Sequence, residues 1–378
     1  MEGPVVEALR VKGWRSYAAA EVQLGPGLTV VYGPNGAGKT NLLEALYFGL
    51  TGRSCRTGNE REVVAFGATA ARVEVDTRDR DGAHELAVGF QPGEAKRFRV
   101  DGAPVERLAD TAARPLVSVF LPDRLELVKG PPALRRSHLD QVVAALWPAR
   151  VATRRAYSQA LAQRNALLSR VRRGLAPRDA LRPWDTELAR HGIALRADRS
   201  AAVASLVEPF ATAAAELGLS GVARLEERPK ARASSVEELA EELAGAVDAD
   251  LERGFTGRGP HRDDVALVRS DPAADPPTAR ELRAYGSQGE QRLALLALLL
   301  AEREAMAEAR GGPPLLLLDD VMSELDAARR QKLVDRVTAR GQAVVTTTDL
   351  AHVPGATAAG VTRIAVRDGG VLQEAAAA

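Results

Sequence analysis

Three features of the sequence predict an α/β protein in which one lobe is split by an inserted helical lobe. Short strand-like runs fill the first third and return towards the C-terminus, the stretch between them has helical periodicity, and a glycine-rich loop stands directly between an apolar strand and a helix. The split lobe is expected to comprise residues 1–122 plus 255–378, and the inserted lobe residues 123–254. A chain of 378 residues, 46% hydrophobic and 27% charged, can bury a sizeable core and is expected to form two lobes.

In chain order, Val5–Val11, Leu28–Tyr32, Arg72–Asp76, Glu85–Phe90, Arg97–Val100 and Leu116–Phe120 are alternating or β-branched runs separated by glycine, proline and aspartate turns. They predict a sheet with hairpins. Beyond Leu125, Ala133–Leu146 and Val151–Val171 lack glycine and proline and carry apolar residues at helical spacing, and helices are expected to continue through Leu181–Leu206 and Ser235–Leu251. Strand-like pieces return at Val265–Val268, Leu315–Leu318, Ala343–Thr346 and Val361–Val366. Asp271–Thr278 reads as a proline-rich loop, and the final EAAAA as a frayed end.

The N-terminal MEGPVVEALRVKGW has no basic segment followed by an apolar run, and no stretch of about 18 apolar residues occurs, so neither secretion nor a membrane span is expected. One cysteine, Cys55, excludes an intrachain disulfide framework, and His84, His138, His191, His261 and His352 lack metal-ligand spacing. A cytoplasmic protein without structural zinc is expected. Charge is uneven: Lys129–Arg199 holds 15 Lys and Arg against 5 Asp and Glu, whereas Ser200–Arg253 holds 5 against 11. That asymmetry fits either a DNA-facing surface or basic and acidic helices packed side by side.

Gly33-Pro34-Asn35-Gly36-Ala37-Gly38-Lys39-Thr40 fits G-x-x-x-x-G-K-[ST], after the apolar LTVVY and before NLLEALYFGL. Such a loop turns backbone N–H groups around phosphate oxygens, and the following helix directs its positive end at the same anion. Lys39 is expected on the β- and γ-phosphates and the Thr40 hydroxyl on Mg²⁺, with Asn41 continuing the nucleotide site. The acid pair Asp319-Asp320 ends a run of four leucines that reads as a strand buried on both faces. Asp319 is expected in the Mg²⁺ shell, and Asp320 is expected to orient or deprotonate the attacking water.

A third segment, Ser287-Gln288-Gly289-Glu290-Gln291, opens a helix expected from Arg292 onward. Ser287 and Glu290 have the spacing of a capping box. The segment also lies one helix and a short loop before the acid pair, the order used by ATPases that bind nucleotide between two subunits. Ser323-Glu324-Leu325-Asp326 follows the acids, where such proteins cross their dimer interface.

With these residues in view the chain resembles the ABC-type ATPase heads of the SMC family, and more closely the RecF family of bacterial DNA repair proteins. The resemblance runs nearly end to end. It rests also on Gly13-Trp14-Arg15-Ser16-Tyr17, Gly52-Arg53-Ser54-Cys55-Arg56-Thr57, Phe120-Leu121-Pro122-Asp123-Arg124 through Gly130-Pro131-Pro132 to Arg135-Arg136, and Gly259-Pro260-His261-Arg262-Asp263-Asp264. An SMC protein would need a far longer insertion to build its coiled coil. The resemblance implies a DNA-binding, weakly active, DNA-stimulated ATPase that dimerises on ATP and acts with RecR and RecO at single-strand/double-strand junctions to load RecA. It also implies that Lys39, Thr40, Asp319 and Asp320 serve one nucleotide, with Asn35 against its γ-phosphate, while Ser287, Gln288 and Gly289 serve the nucleotide of a partner copy.

The sequence departs from that pattern in several places. The signature reads SQGEQ rather than LSGGQ, Asp320 stands where transporters carry glutamate, no glutamine marks the loop near Pro122-Asp123, and TTTD lacks the sensor histidine, leaving Thr348 as its substitute and His352 as an ordinary helix or loop residue. The shorter carboxylate fits a slow switch. Arg15, Arg53 and Arg56 suit contacts to nucleotide or DNA and equally suit surface ion pairs. Arg154, Arg155, Arg164, Arg170, Arg172 and Arg173 are dense enough to neutralise duplex phosphates, while 4% aromatic content argues against extensive base stacking. A small-molecule kinase on the same loop would leave SQGEQ and SELD unexplained. A decayed structural partner is opposed by the intact Lys39, Thr40 and Asp319.

Overall fold

A computed structural model describes residues 3–271 and 278–374. The expected loop at Asp271–Thr278 therefore lies outside the described residues except at its two ends, as does the expected frayed tail beyond Glu374; the side chains of Pro122 and Asp123 also lie outside them. The chain divides into a first unit, residues 1–124 with 306–378, and a second, residues 125–305.

The first unit begins with β1 (Val5–Trp14), β2 (Tyr17–Gln23), β3 (Leu28–Tyr32), α1 (Lys39–Thr51), β4 (Ala71–Asp79), β5 (Gly82–Phe90), β6 (Arg97–Val100), β7 (Ala103–Val105) and β8 (Val117–Phe120). The second contains α2 (Glu126–Lys129), α3 (Pro132–Leu146), α4 (Val151–Arg172), α5 (Arg182–Glu216), β9 (Val222–Arg228), α6 (Val236–Gly245), α7 (Val247–Arg253), β10 (Asp264–Asp271), β11 (Thr278–Glu281) and α8 (Leu282–Tyr285). It also holds most of α9 (Gln288–Arg310), after which β12 (Leu315–Leu318), α10 (Ala327–Thr338), β13 (Ala343–Thr347), β14 (Thr362–Arg367) and β15 (Gly370–Glu374) complete the first unit.

Two sheets build the first unit. One has the order β2-β1-β4-β5-β6-β7 and is antiparallel throughout, as hairpin connections require. The other has the order β15-β14-β3-β13-β12-β8 and is parallel except for the β14–β15 hairpin. Its central strands read as unbroken apolar runs because both faces are covered: all four leucines of β12 are buried, as are Leu28 to Val31 of β3. α1 packs its Leu42, Leu43, Leu46 and Phe48 into the same core as Val73, Val75 and Leu317.

The second unit differs from the expected inserted lobe at its C-terminal limit. It does not end at residue 254 but runs to Ala305, because β10 pairs antiparallel with β9 and β11 in a sheet of its own. Val265–Val268 therefore belongs to this sheet and not to the first unit. Two helices also differ from expectation. α5 continues through Pro209 to Glu216 instead of stopping at Leu206, and the stretch expected as one helix over Ser235–Leu251 breaks at Ala246 into α6 and α7, next to Gly245. Among the described residues no helix is long and apolar enough to cross a membrane.

Candidate nucleotide and signature sites

β3 delivers the chain to Gly33–Thr40 at the centre of the parallel sheet, between β13 and β14. Gly33 (φ 152°) passes so close to β14 that a Cβ there would lie 2.1 Å from the Val366 carbonyl oxygen, and Gly38 (φ 114°) would collide with the Tyr17 hydroxyl at 2.8 Å. These two positions accept only glycine. Ala37 is buried beneath the loop, while Pro34, Asn35 and Gly36 are exposed. Lys39 is buried, and its Nζ donates to the carbonyl oxygens of Gly33 at 2.7 Å and Pro34 at 2.9 Å. Burial lowers its pKa, with the nearby Asp320 and Asp319 charges opposing the shift.

Asp319 of the acid pair meets the end of the loop. The Thr40 hydroxyl lies 3.0 Å from both carboxylate oxygens of Asp319. Asp319 is buried at the end of β12, and that burial raises its pKa, while hydroxyls from Thr346 and Thr40 pull it back. Thr346, which the sequence reading passed over in favour of Thr348, lies on β13 next to the acids. Its hydroxyl donates to Asp319 Oδ1 at 2.7 Å and accepts the Asp320 N–H at 2.9 Å. The signal was present in AVVTTTD, but which of three threonines faces the acids depends on the β12–β13 register.

Asp320 has a left-handed backbone (φ 47°), and its buried Oδ1 accepts no hydrogen bond. Among the described residues no group of three or more His, Cys, Asp or Glu side chains is placed to hold a metal ion. Thr40 and Asp319 therefore offer a small, hard-oxygen donor pair, which fits Mg²⁺ completed by phosphate and water oxygens.

Several motif residues hold the loop from behind. The Trp14 indole N–H donates to the Asn41 carbonyl oxygen at 2.8 Å, and the Tyr17 hydroxyl donates to the Gly38 carbonyl oxygen at 3.0 Å, its pKa pushed up to about 12 by burial. Asn41, expected in the nucleotide site, has its side-chain amide between Ser16 Oγ at 3.0 Å and Arg56 at 2.9 Å. Glu44, which the sequence reading did not single out, is fully buried on α1. Arg15 binds it with two bonds of 2.8 and 2.7 Å, Ser54 Oγ donates at 2.5 Å, and Arg56 lies at 3.4 Å. Of the two roles open to Arg15 and Arg56, the ion-pair role is the one observed, because a buried carboxylate demands countercharge. Arg53 is exposed.

In the second unit, Ser287 caps α9, which starts at Gln288 and not at Arg292. The capping box is complete: Ser287 N–H donates to Glu290 Oε2 at 2.8 Å, and Glu290 N–H donates to Ser287 Oγ at 3.2 Å. Arg269 holds the other oxygen of Glu290. Ser287, Gln288 and Gly289 are exposed, and a Cβ at Gly289 would meet nothing within 4 Å. The cap therefore costs the segment none of its accessibility.

One expected DNA contact is overturned. Arg164 is wholly buried, bonded to Asp185 and Asp250 at 2.7 Å each and to Thr256 Oγ1 at 2.8 Å. Helical spacing turns it inward beside Tyr157, Ala160 and Leu168, away from solvent. Arg154, Arg155, Arg170, Arg172 and Arg173 are exposed, Arg154 being paired with Asp140 at 3.0 Å.

Residues 5–371 match the family described as RecF/RecN/SMC N terminal domain. A DNA replication and repair protein RecF of Anaeromyxobacter sp. (strain Fw109-5) is 39% identical over 353 residues, covering 90% of this chain and 92% of that one. The RecF of Streptomyces avermitilis is 36% identical over 380 residues, covering 97% and 99%. A solved structure titled as the recombination mediator protein RecF-ATPrS in the RecFOR pathway superposes with a TM-score of 0.84 at 26% identity, covering 99% of each chain. An SMC head from Pyrococcus furiosus, at 19% identity and a TM-score of 0.59 over 98% of this chain and 96% of that one, shares the fold. With an ABC-type ATPase fold and this family match along nearly its whole length, the chain belongs to the RecF family of DNA replication and repair proteins.

Proposed function

We propose that this chain is an ATP-gated, DNA-binding switch of recombinational repair. It binds ATP and Mg²⁺ at Gly33–Thr40, dimerises on ATP, hydrolyses it slowly with stimulation by DNA, and acts with RecR and RecO at single-strand/double-strand junctions to promote RecA loading. It is cytoplasmic and joins the nucleoid when bound to DNA. The observation that carries the reading is the convergence of Thr40 and Thr346 on Asp319 beside the buried ammonium of Lys39. Relatives titled as RecF with ATP and with ATPrS in the RecFOR pathway support the nucleotide and the pathway.

Bound Mg²⁺ would supply positive charge to polarise the terminal phosphate. Lys39 exchanges its bonds to the Gly33 and Pro34 carbonyls for phosphate oxygens, while Thr40 and Asp319 would hold the metal and Thr346 fixes the Asp319 rotamer. Asn35 approaches the γ-phosphate from the exposed side of the loop. Asp320 takes a proton from the attacking water. Ser287, Gln288 and Gly289 approach the nucleotide held by a second copy, with Gly289 leaving the backbone open to it. Exposed arginines of α4 and its C-terminal turn supply salt-dependent contacts to duplex phosphates.

Size-exclusion chromatography with light scattering on wild type, Lys39→Arg and Ser287→Arg, each with ATP and with ADP, tests the switch. Wild type is expected to dimerise with ATP only, and both variants to stay monomeric. A wild type that remains monomeric with ATP at high protein concentration removes the basis for the trans site.

A further inference from the structure

The two-arginine segment of α3 and the Gly259–Asp264 motif take no part in the sites described above, yet they meet at a cavity inside the second unit. Its volume is about 350 Å³, and its walls include Arg136 and Leu139 of α3, Arg196 and Arg199 of α5, Arg228 of β9 and the connecting Asp263. Three of these four arginines have a carboxylate partner. Arg199 forms two bonds to Asp140 at 2.8 and 3.1 Å, Arg196 Nε binds Asp263 at 3.1 Å, and Arg228 binds Glu281 at 2.6 Å.

Arg136 is different. Its Nη1 donates to the carbonyl oxygen of Asp263 at 2.7 Å, and it forms no ion pair among the described residues. The acids around it are engaged elsewhere: Asp263 with Arg196 and the Lys230 N–H, Asp264 in two hydrogen bonds from Arg135, and Glu227 with Ser200. A guanidinium carries five N–H donors in a planar fork, so most of this one's capacity is unused. Burial together with the positive charges of Arg199 and Arg262 lowers its pKa, an electrostatic cost that an anion in the cavity would remove.

We propose that the cavity is an oxyanion subsite in which the Arg136 guanidinium binds a phosphate group. Arginine engages phosphate through paired N–H bonds, and the space exceeds what one phosphate needs. The phosphate comes either from the backbone of DNA or from a free phosphate compound. The first source deepens the DNA-binding reading above and rests on it; the second is independent of it.

The test compares wild type with Arg136→Gln and Arg136→Met, keeping ADP saturating so that the Gly33–Thr40 loop is occupied throughout. Both variants are expected to melt no lower than wild type, since each removes a crowded, half-buried cation. In the first arm, Tm is followed as sodium phosphate replaces sodium chloride at fixed ionic strength. In the second, affinity for a gapped duplex is followed against salt, where loss of one phosphate contact makes the log–log slope shallower by about 1. A phosphate-induced rise in Tm that the variants lose identifies free phosphate; a shallower slope identifies DNA backbone. If both variants fold and reproduce wild type in both arms, the subsite is overturned. A wild type whose DNA binding ignores salt would defeat the DNA reading while leaving the phosphate arm to decide the cavity.

Discussion

Two groups of buried polar side chains, one in each unit, are used in opposite ways. In the first unit Lys39, Thr40, Asp319 and Thr346 converge at the ends of parallel strands and keep capacity in reserve: Lys39 uses two of its three N–H donors on carbonyls, and Asp320 Oδ1 accepts nothing. In the second unit Arg164 is consumed by Asp185, Asp250, Thr256 and the Leu243 carbonyl oxygen, while Thr256 donates to Asn165 and Asp250 accepts the Gly257 N–H. Burial of charge is therefore a poor guide to function by itself. What separates a working site from a structural network is whether donors and acceptors remain for something else.

The sharpest break of that contrast is Arg164→Leu, which leaves Asp185 and Asp250 buried without countercharge. Stability is expected to fall by about 3–5 kcal/mol. Urea unfolding followed by circular dichroism measures it, and a loss under about 1 kcal/mol would mean the network is not structural. Next is Thr346→Val, a change in the first unit that removes one hydroxyl behind the acids. It should lower Mg²⁺-dependent ATP turnover about 10–100-fold with little change in Tm, whereas Thr348→Val should leave turnover near wild type. Steady-state ATPase assays against Mg²⁺ concentration separate the two threonines.

Smaller effects probe the exposed end of α9. Ser287→Ala removes a helix cap and should cost about 1 kcal/mol in chemical unfolding. Gly289→Ala, at a helical position where a methyl meets no neighbour, should instead stabilise the fold by about 0.5–1 kcal/mol, yet weaken ATP-driven dimerisation by light scattering. Opposite signs on fold and on assembly would mark this glycine as functional. A gain in both would mark it as incidental.

The smallest effect is in pH. His261 accepts the Tyr157 hydroxyl at 2.6 Å on Nδ1 and donates from Nε2 to the Thr256 carbonyl at 3.0 Å, and burial lowers its pKa below the ordinary 6.5. The unfolded chain then takes up a proton before the folded one does. Stability should be flat above about pH 7 and should decline as pH falls through 6.5 towards the depressed folded value. Thermal melts of wild type and His261→Gln across that range measure it, and parallel curves would assign the pH dependence to other groups.

Legibility in the sequence followed how local each feature is. The phosphate loop, the LLLLDD strand and the Ser287 cap are contiguous, and each carries its own geometry: a glycine pattern, an apolar run ending in acids, a three-residue spacing. The GWRSY and GRSCRT segments were recognisable as motifs, but their work of gripping α1 through Trp14, Tyr17 and Glu44 was not, because it joins residues 10 to 29 positions apart. The charge run on α4 misled for Arg164, since a count of arginines does not say which face of a helix each occupies.

The amino-acid order alone determined the strand–loop–helix that can hold a phosphate, the acids that follow a doubly buried strand, and the family to which these motifs belong. Local backbone preference and apolar periodicity are sufficient causes for each. Only the tertiary structure decided that Thr346 braces Asp319, that Glu44 binds Arg15, that β10 joins the second unit, and that Arg136 faces a cavity without a carboxylate of its own. Those outcomes depend on strand register and on which charges find partners first, and both are set by the packing of segments distant in the chain.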